Sequence, residues 1–522
     1  MSADYDIAVV GSGFAGSLLA MIARRIGRSV LLLERGKHPR FAIGESSTPL
    51  SNLLLEDLSI RYNLANLTPL SKWGTWQKAR PEVGCGLKRG FTFYHHKFGR
   101  RATVDPGRQN QLLVASSPDD AVGDTQWYRA EVDAFFVREA QKTGIDYVDE
   151  VQLQDASEQD EKVRLEGTRH GARLAVSARF VVDATGPRGF LHRAFAIPED
   201  PLPDLPQTES LYTHFTNVRR LDEFFPADPT GEIPPFPPDD ATVHHVFEGG
   251  WVWVLRFGNG ITSAGVAATN RTAERFGLSE GTPAWQRLLQ CLPTVHEQFA
   301  TAIAKRPFVH TPRLSFRSRT IVGKRWALLP SAAGFVDPLL STGFPLVLLG
   351  IARLAEIIEG DWNSPRFDQS LATYGRQTED ELLITARLIG SLYANMANFP
   401  LFVSLSLLYF AAASFSETAR RLGKPHLSSS FLLHDHPAFQ THPLFKRARL
   451  VRSQQESQLL TSNILRVIEP FNVAGLGEPR RRNWYPAYAE DLLRAAPKLN
   501  ADRDEIARLL ARCGFQPRTE RS

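Results

Sequence analysis

Residues 5–35, "YDIAVVGSGFAGSLLAMIARRIGRSVLLLER", decide the fold. An apolar run from Ile7 to Val10 meets a glycine turn, an amphipathic stretch follows, and a second apolar run from Val30 to Leu33 closes on Glu34. Such runs read as buried strands joined by a crossover helix. Gly11, Gly13 and Gly16 stand at G-x-G-x-x-G spacing between strand and helix, with the acid about 20 residues later. Glycines there let amides at a helix N-terminus approach a pyrophosphate, and the carboxylate accepts from ribose hydroxyls. The expected dinucleotide contacts are Gly11, Gly13, Phe14, Ala15, Gly16, Glu34 and the adjoining Arg35.

The 522-residue chain is long enough for two or three packed units. Cys85, Cys291 and Cys513 are too scattered for zinc-ligand spacing or a disulfide framework, so no metal is expected and a reducing cytosol suits the chain. A net charge of +5, small and dispersed, argues against nucleic acid. The basic runs "FKRARLVR" (445–452) and "EPRRRNW" (478–484) read as solvated faces. Acidic residues near the start stand where a secretory signal would carry positive charge, so no targeting segment is expected. The uncharged stretch 388–416 is interrupted by Asn395, Asn398 and Pro400, and reads as a buried helix pair rather than a membrane span.

NAD and FAD share the glycine fingerprint, so later signals must separate them. Residues 44–46 are Gly44, Glu45 and Ser46, and "WYRAEVDAFF" (127–136) puts Arg129 and Asp133 at helical spacing on one face. "FVVDATG" (180–186) is a strand ending in Asp183, and "WALLPSAAGFVD" (326–337) is another followed by Gly334 and Asp337. This series resembles the FAD-dependent oxidoreductases of the aromatic-hydroxylase type. The resemblance implies an α/β fold with a Rossmann-type, glutathione-reductase-like FAD-binding domain. It places Glu45, Ser46, Arg129, Asp183, Gly334 and Asp337 at the cofactor. Pro330-Ser331 stands where that family has Gly-Asp.

Three further stretches resemble the flavin-dependent halogenases: "DPLLSTGFPLVLLGIARLAEIIEG" (337–360), "GGWVWVLRF" (249–257) and "CGLKRGFTFYHH" (85–96). "VHHVFEGGWVWV" (243–254) and "PRLSFRS" (312–318) are similar to the phenol-halogenating branch, which includes phloroglucinol halogenase. The resemblance implies that reduced FAD and oxygen convert a halide to hypohalous acid, and that Lys88 presents it to an electron-rich, phenolic ring. It also implies a halide at the amides of Thr342 and Gly343, and Trp251 and Trp253 as a wall between substrate and flavin. With one glycine fingerprint in the chain, FADH2 would come from a separate flavin reductase. The substrate would be a small aromatic, free or carrier-tethered, and the enzyme cytoplasmic, with no membrane or nucleic-acid partner. Members acting on tryptophan carry a glutamate where this chain has Leu340.

Strand alternation puts Trp251, Trp253 and Leu255 on one face and Val252, Val254 and Arg256 on the other. Continued through residues 87–94, it puts Lys88 with Gly90, Thr92 and Tyr94, opposite Leu87, Arg89, Phe91 and Phe93. Arg256 replaces a proline of the family pattern and must find water or a carboxylate. That departure keeps a second reading open, an FAD-dependent aromatic monooxygenase or reductase. A third is a flavin-binding subunit without turnover. The expected organisation is an FAD unit from 1–190 plus 305–360, a β-rich substrate subdomain from 191–304 with a proline-dense loop at 224–240, and a helical part from 361–522.

Overall fold

The computed structural model of the protein describes residues 4–515 except 160, 226, 429 and 437–446. Residues 445 and 446 of the first basic run therefore lie outside the described residues.

The opening stretch forms strand Asp4–Val10, helix Phe14–Arg25 and strand Val30–Leu33. Its apolar runs are buried, as the centre of a parallel sheet requires. A seven-stranded sheet runs Asp146–Val148, Val30–Leu33, Asp4–Val10, Ala172–Asp183, all parallel. The long strand Ala172–Asp183 then divides its outer edge. Its last three residues pair in parallel with Trp326–Leu328, and its first part pairs antiparallel with Lys162–Arg169, beyond which lies Val151–Gln159. Helix and sheet meet closely: a Cβ on Gly16 would stand 1.9 Å from the Gly11 carbonyl oxygen. Gly11 has φ +101°, and a Cβ there would lie 2.7 Å from Ala184.

A second sheet of nine strands runs Ile303–Ala304, Thr208–Thr216, Thr262–Thr269, Gly250–Arg256, Thr242–Phe247, Gly90–His95, Gln111–Ala115, Trp484–Tyr485, with Val309–Thr311 also on Thr208–Thr216. It is not confined to residues 191–304, because strands from residues 90–115 and 484–485 complete its ladder. Along Gly250–Arg256 the alternation is as expected. Trp251, Trp253 and Leu255 join the core shared with the first sheet and the C-terminal helices, and Val252 and Val254 join a second core under helices Asn270–Phe276 and Thr282–Cys291. Arg256 lies across the sheet from the tryptophans and donates from Nε to Asp239 Oδ1 (2.7 Å) and from Nη1 to the Val218 carbonyl (2.9 Å). The proline-dense loop thus supplies the carboxylate that its charge requires.

Alternation does not carry through residues 85–95. Strand Cys85–Lys88 belongs to a separate antiparallel pair with Asp124–Trp127, and the next strand begins at Gly90. At the break the Arg89 amide donates to the Asp240 carbonyl, and a Cβ on Gly90 would sit 2.1 Å from the Val114 oxygen. The turn brings Lys88 over Phe91, its Nζ 3.9 Å from the ring centroid, where continuous alternation had put them on opposite faces.

Residues 388–416 divide between helices Phe367–Ala394 and Phe399–Arg421, the second capped by Asn398. Two helices, 339–360 and 399–421, are long and apolar enough to cross a membrane by length and composition. Of their apolar windows, 78% and 83% are buried inside the protein, as core helices are.

Candidate active site

At the glycine turn, Glu34 ends its strand with a carboxylate that accepts from the Ser12 amide (3.0 Å), the Ser12 hydroxyl (2.9 Å) and the Gly36 amide (2.9 Å). Burial pushes its pKa up, but Arg40 and these donors outweigh it and hold the group below the usual carboxylate range. Arg35 is exposed, and the arginine that meets Glu34 is Arg40 at 3.4 Å. The Gly13 cap of helix Phe14–Arg25 has no side chain to offer its amides, although the Phe14 amide reaches Asp133 Oδ1 at 3.1 Å. Arg129 clamps Asp133 with both Nε and Nη2 (2.8 and 2.9 Å) and donates to the Gly44 carbonyl (2.9 Å). The sequence spacing of Arg129 and Asp133 therefore fixes the Gly44-Glu45-Ser46 segment against the turn. Amides at a helix end, a bare glycine and an ionised acid at the next strand end suit the pyrophosphate and ribose of FAD.

Asp183, Asp337 and Glu45 are buried and already engaged by protein groups. Asp183 accepts from Thr185 and from the Leu191 amide, and burial raises its pKa against those bonds. Asp337 accepts from the Leu339 amide (3.0 Å), Trp251 Nε1 (3.3 Å) and the Tyr393 hydroxyl (2.9 Å). Its burial pushes the carboxyl up to about 6 even so. Glu45 Oε1 accepts from His214 Nε2 at 2.8 Å, a partner that the sequence did not announce. Gly334 lies against Leu382, whose Cδ1 a Cβ would meet at 2.6 Å. Of the two tryptophans, Trp251 is thus tied to the Asp337 segment, and Trp253 donates weakly to Ser263 at 3.4 Å.

Lys88 is fully buried, beyond the partial burial expected of it. Its Nζ donates to Ser46 Oγ (2.9 Å) and to the Ser47 carbonyl (2.5 Å). Burial pulls its pKa down to about 7, with Asp124, its cross-strand partner, opposing the fall. Ser46 is a junction: its hydroxyl also meets Thr242 Oγ1 at 2.9 Å and accepts from Ser341 Oγ at 3.0 Å. Ser341 directly precedes Thr342 and Gly343, the N-terminus of helix Gly343–Gly360. Leu340 and Ser341 both hold left-handed backbone, φ +66° and +55°, a strained turn that side chains rarely adopt. No side chain caps the helix that follows, which leaves its positive end for an anion. Phe344 stacks on Phe14 at 4.9 Å, so the two helix N-termini face each other across one aromatic contact.

His244 escaped the sequence reading. Its Nδ1 lies 3.1 Å from the Thr92 carbonyl and so carries the proton, while the buried Nε2 has no partner among the described residues. The ring stacks between Phe93 (4.2 Å) and Trp251 (5.1 Å). Burial holds it neutral, with a pKa near 3, and Lys88 opposes its charging as well. The only signal was "HH" inside an alternating strand, which sends one of the two histidines to the tryptophan face.

A cavity of about 180 Å³ is lined by Phe91, the ring under Lys88 Nζ, and by Asp124, the cross-strand partner of Lys88; Lys88 itself is not on its wall. Its walls include Phe91 from the second sheet, Asp124 from the separate strand pair, Pro345 from helix Gly343–Gly360, and Tyr409 and Phe410 from helix Phe399–Arg421. An apolar cavity of about 150 Å³ accepts a benzene ring, so this one is the size of a single substituted ring.

The chain is similar to known proteins of one kind. A family model described as FAD dependent oxidoreductase matches residues 6–315, more than half of the chain. Tetracycline 7-halogenase of Kitasatospora aureofaciens is 29% identical over 425 residues, 78% of this chain and 73% of that one. Monodechloroaminopyrrolnitrin halogenase PrnC of Pseudomonas fluorescens is 31% identical over 375 residues, 70% of this chain and 64% of its own. The crystal structure of halogenase PltM superposes with a TM-score of 0.80 at 25% identity, covering 92% of this chain and 99% of that one. A PltM structure in complex with phloroglucinol and FAD gives a TM-score of 0.81 at 24% identity.

Proposed function

The chain belongs to the FAD-dependent oxidoreductase family and is a flavin-dependent halogenase, and from that premise we propose that it halogenates a phenol of a single ring by way of Lys88. The glycine turn with Glu34, and the Gly44-Glu45-Ser46 segment fixed by Arg129 and Asp133, would hold FAD, which when bound and reduced would supply the oxygen-activating chemistry that oxidises halide to hypohalous acid. The amides of Thr342 and Gly343 hold the halide at a helix N-terminus. Ser341 and Ser46 then line the route from that turn to the lysine, and their hydroxyls pass hydrogen bonds from one to the next. Lys88 holds a proton on Nζ, bonds the oxygen of hypohalous acid, and releases that proton as the oxygen departs. A pKa near 7 makes the ammonium a much better proton donor than an exposed lysine. Trp251 and Trp253 keep the ring on the Lys88 side.

One observation carries the reading: a fully buried lysine is bonded through Ser46 to the Ser341 turn, and the ring under its Nζ, Phe91, and its cross-strand partner, Asp124, line a cavity that fits one ring. The cavity favours a phenol over the fused rings named for the tetracycline relative. A phenol also needs no carboxylate at Leu340, because its oxygen feeds electron density into the ring. A reductase acting in the cytosol delivers FADH2. Of the two departures behind the hydroxylase reading, Arg256 no longer supports it, since it lies across the sheet from the tryptophans and is paired with Asp239, whereas Pro330-Ser331 in place of Gly-Asp still stands.

The test is mass spectrometry of phenols, indoles and pyrroles incubated with protein, FAD, a flavin reductase, NADH and bromide. The expected product is a phenol with a bromine isotope doublet that vanishes without bromide. A gain of one oxygen independent of halide would replace this function with hydroxylation.

A further inference from the structure

We propose that Asp124 is a catalytic residue of this enzyme: its free carboxylate oxygen binds the phenolic hydroxyl of the substrate and takes its proton as the ring is halogenated. The inference rests on the halogenase reading above and adds to it the residue that activates the ring.

Four observations meet at this side chain. Lys88 and Asp124 are directly paired across strands Cys85–Lys88 and Asp124–Trp127, which points both side chains to one side. Asp124 is 5% exposed and lines the cavity together with Phe91, the ring under Lys88 Nζ. Its Oδ1 accepts from Asn52 Nδ2 at 2.8 Å; its Oδ2 is buried and makes no hydrogen bond within 3.5 Å among the described residues, the Ser116 hydroxyl, which helps to lower its pKa, donating instead to the Arg89 carbonyl. Asn52 Oδ1 and Ser117 Oγ, also buried on the cavity wall, are unpartnered too. Unpaired buried polar atoms are costly, and two obligate acceptors with a serine hydroxyl that can donate or accept, all on one cavity wall, call for a ligand that carries hydroxyl groups. A ring with two or more phenolic hydroxyls does so; indole, with one N–H, cannot serve them all.

The step balances. The ring carbon bonds the halogen while the halogen–oxygen bond breaks, its electron pair going to the oxygen, which takes the proton of Lys88 and leaves as water. The phenolic proton passes to Asp124 Oδ2, giving a neutral dienone. The dienone regains its aromatic ring by moving the ring proton to oxygen, and Asp124 returns its proton to Lys88. Burial pushes the Asp124 carboxyl up to about 6, Lys88 opposing, which brings donor and acceptor close enough for that return. The charged and titratable groups around the pair are Glu417 and Tyr409 on helix Phe399–Arg421, Arg421 bonded to Glu417 at 2.6 Å, and His244.

The experiment compares resorcinol with 1,3-dimethoxybenzene, which has the same ring without the protons, in the wild-type protein and in Asp124→Asn. Calorimetry of FAD-loaded protein should show wild-type binding of resorcinol at least about tenfold tighter than of the ether, and Asp124→Asn should remove most of that preference. Turnover of resorcinol should fall about 100-fold in the variant, and formate should restore part of it in Asp124→Ala. Equal wild-type affinity for phenol and ether, or a variant that keeps the preference and the rate, would overturn the assignment without needing a variant to fold. If the wild type prefers resorcinol but brominates nothing, the halogenase reading fails instead, so the two failures are distinguishable.

Discussion

The glycine turn and the Lys88 site are built by opposite means. The turn is local: residues 11–16 and 34 lie within one strand–helix–strand unit, and its selectivity comes from backbone amides and from the absence of side chains. The lysine site is assembled from distant parts, with Ser46, Lys88, Phe91, Asp124, Ser341 and Tyr409 each arriving on a different segment. Its chemistry comes from burial, which shifts proton affinities that no neighbouring residue in sequence could shift. A pyrophosphate needs only a shape that the chain can make anywhere, whereas a reactive ammonium needs the whole protein around it.

Separating the two regions is the sharpest way to test that contrast. Lys88→Met keeps a long apolar side chain in the buried space, and should lower halogenated product by about 1,000-fold or more while FAD affinity stays within about twofold. Product by mass spectrometry and FAD by fluorescence quenching report the two sides independently, and surviving product would remove Lys88 from the mechanism. Arg256→Met leaves Asp239 buried without its cation, and should cost about 3–5 kcal/mol of stability by denaturant unfolding. The ratio of halogenated to hydroxylated product should not move, because the pair lies across the sheet from the tryptophans; a rise in hydroxylation would restore the monooxygenase reading.

Gly16→Ala should cost about 1–3 kcal/mol and weaken FAD binding, since the new methyl has no room above the Gly11 oxygen. Once FAD is saturating, product identity should be that of the wild type, and a changed product would join two regions held here to be separate. The mildest expected effect is on pH. The active pair is ionised Asp124 with protonated Lys88, so the rate should climb as pH rises through about 6, where Asp124 loses its proton, and decline as pH rises through about 7, where Lys88 loses its own. In Asp124→Asn the residual rate should lack the acidic limb, and an unchanged bell would assign that limb elsewhere.

The same contrast explains what could be read in advance. Gly11, Gly13, Gly16, Glu34 and the Arg129–Asp133 pair were legible because each depends on spacing within one element or one supersecondary unit. Alternation also served for Trp251, Trp253 and Arg256, which lie on one unbroken strand. It failed from Cys85 to His95, where the chain leaves one sheet at Arg89 and enters another at Gly90, and no local pattern marks that change of partner. His214, His244 and Asp124 were missed because each matters only through what it meets: Glu45, Trp251 and Lys88.

By itself the sequence determined the dinucleotide-binding unit, because backbone conformation is set by neighbours along the chain, whereas the lysine was singled out only by the resemblance of its segment to the halogenases. The tertiary structure decided that the lysine is fully buried, that a carboxylate with one oxygen unpartnered among the described residues stands across from it, and that Arg256 lies across the sheet from the tryptophans, paired with Asp239. Those are matters of solvent exclusion and of pairing between remote strands, and both arise only when the chain closes on itself.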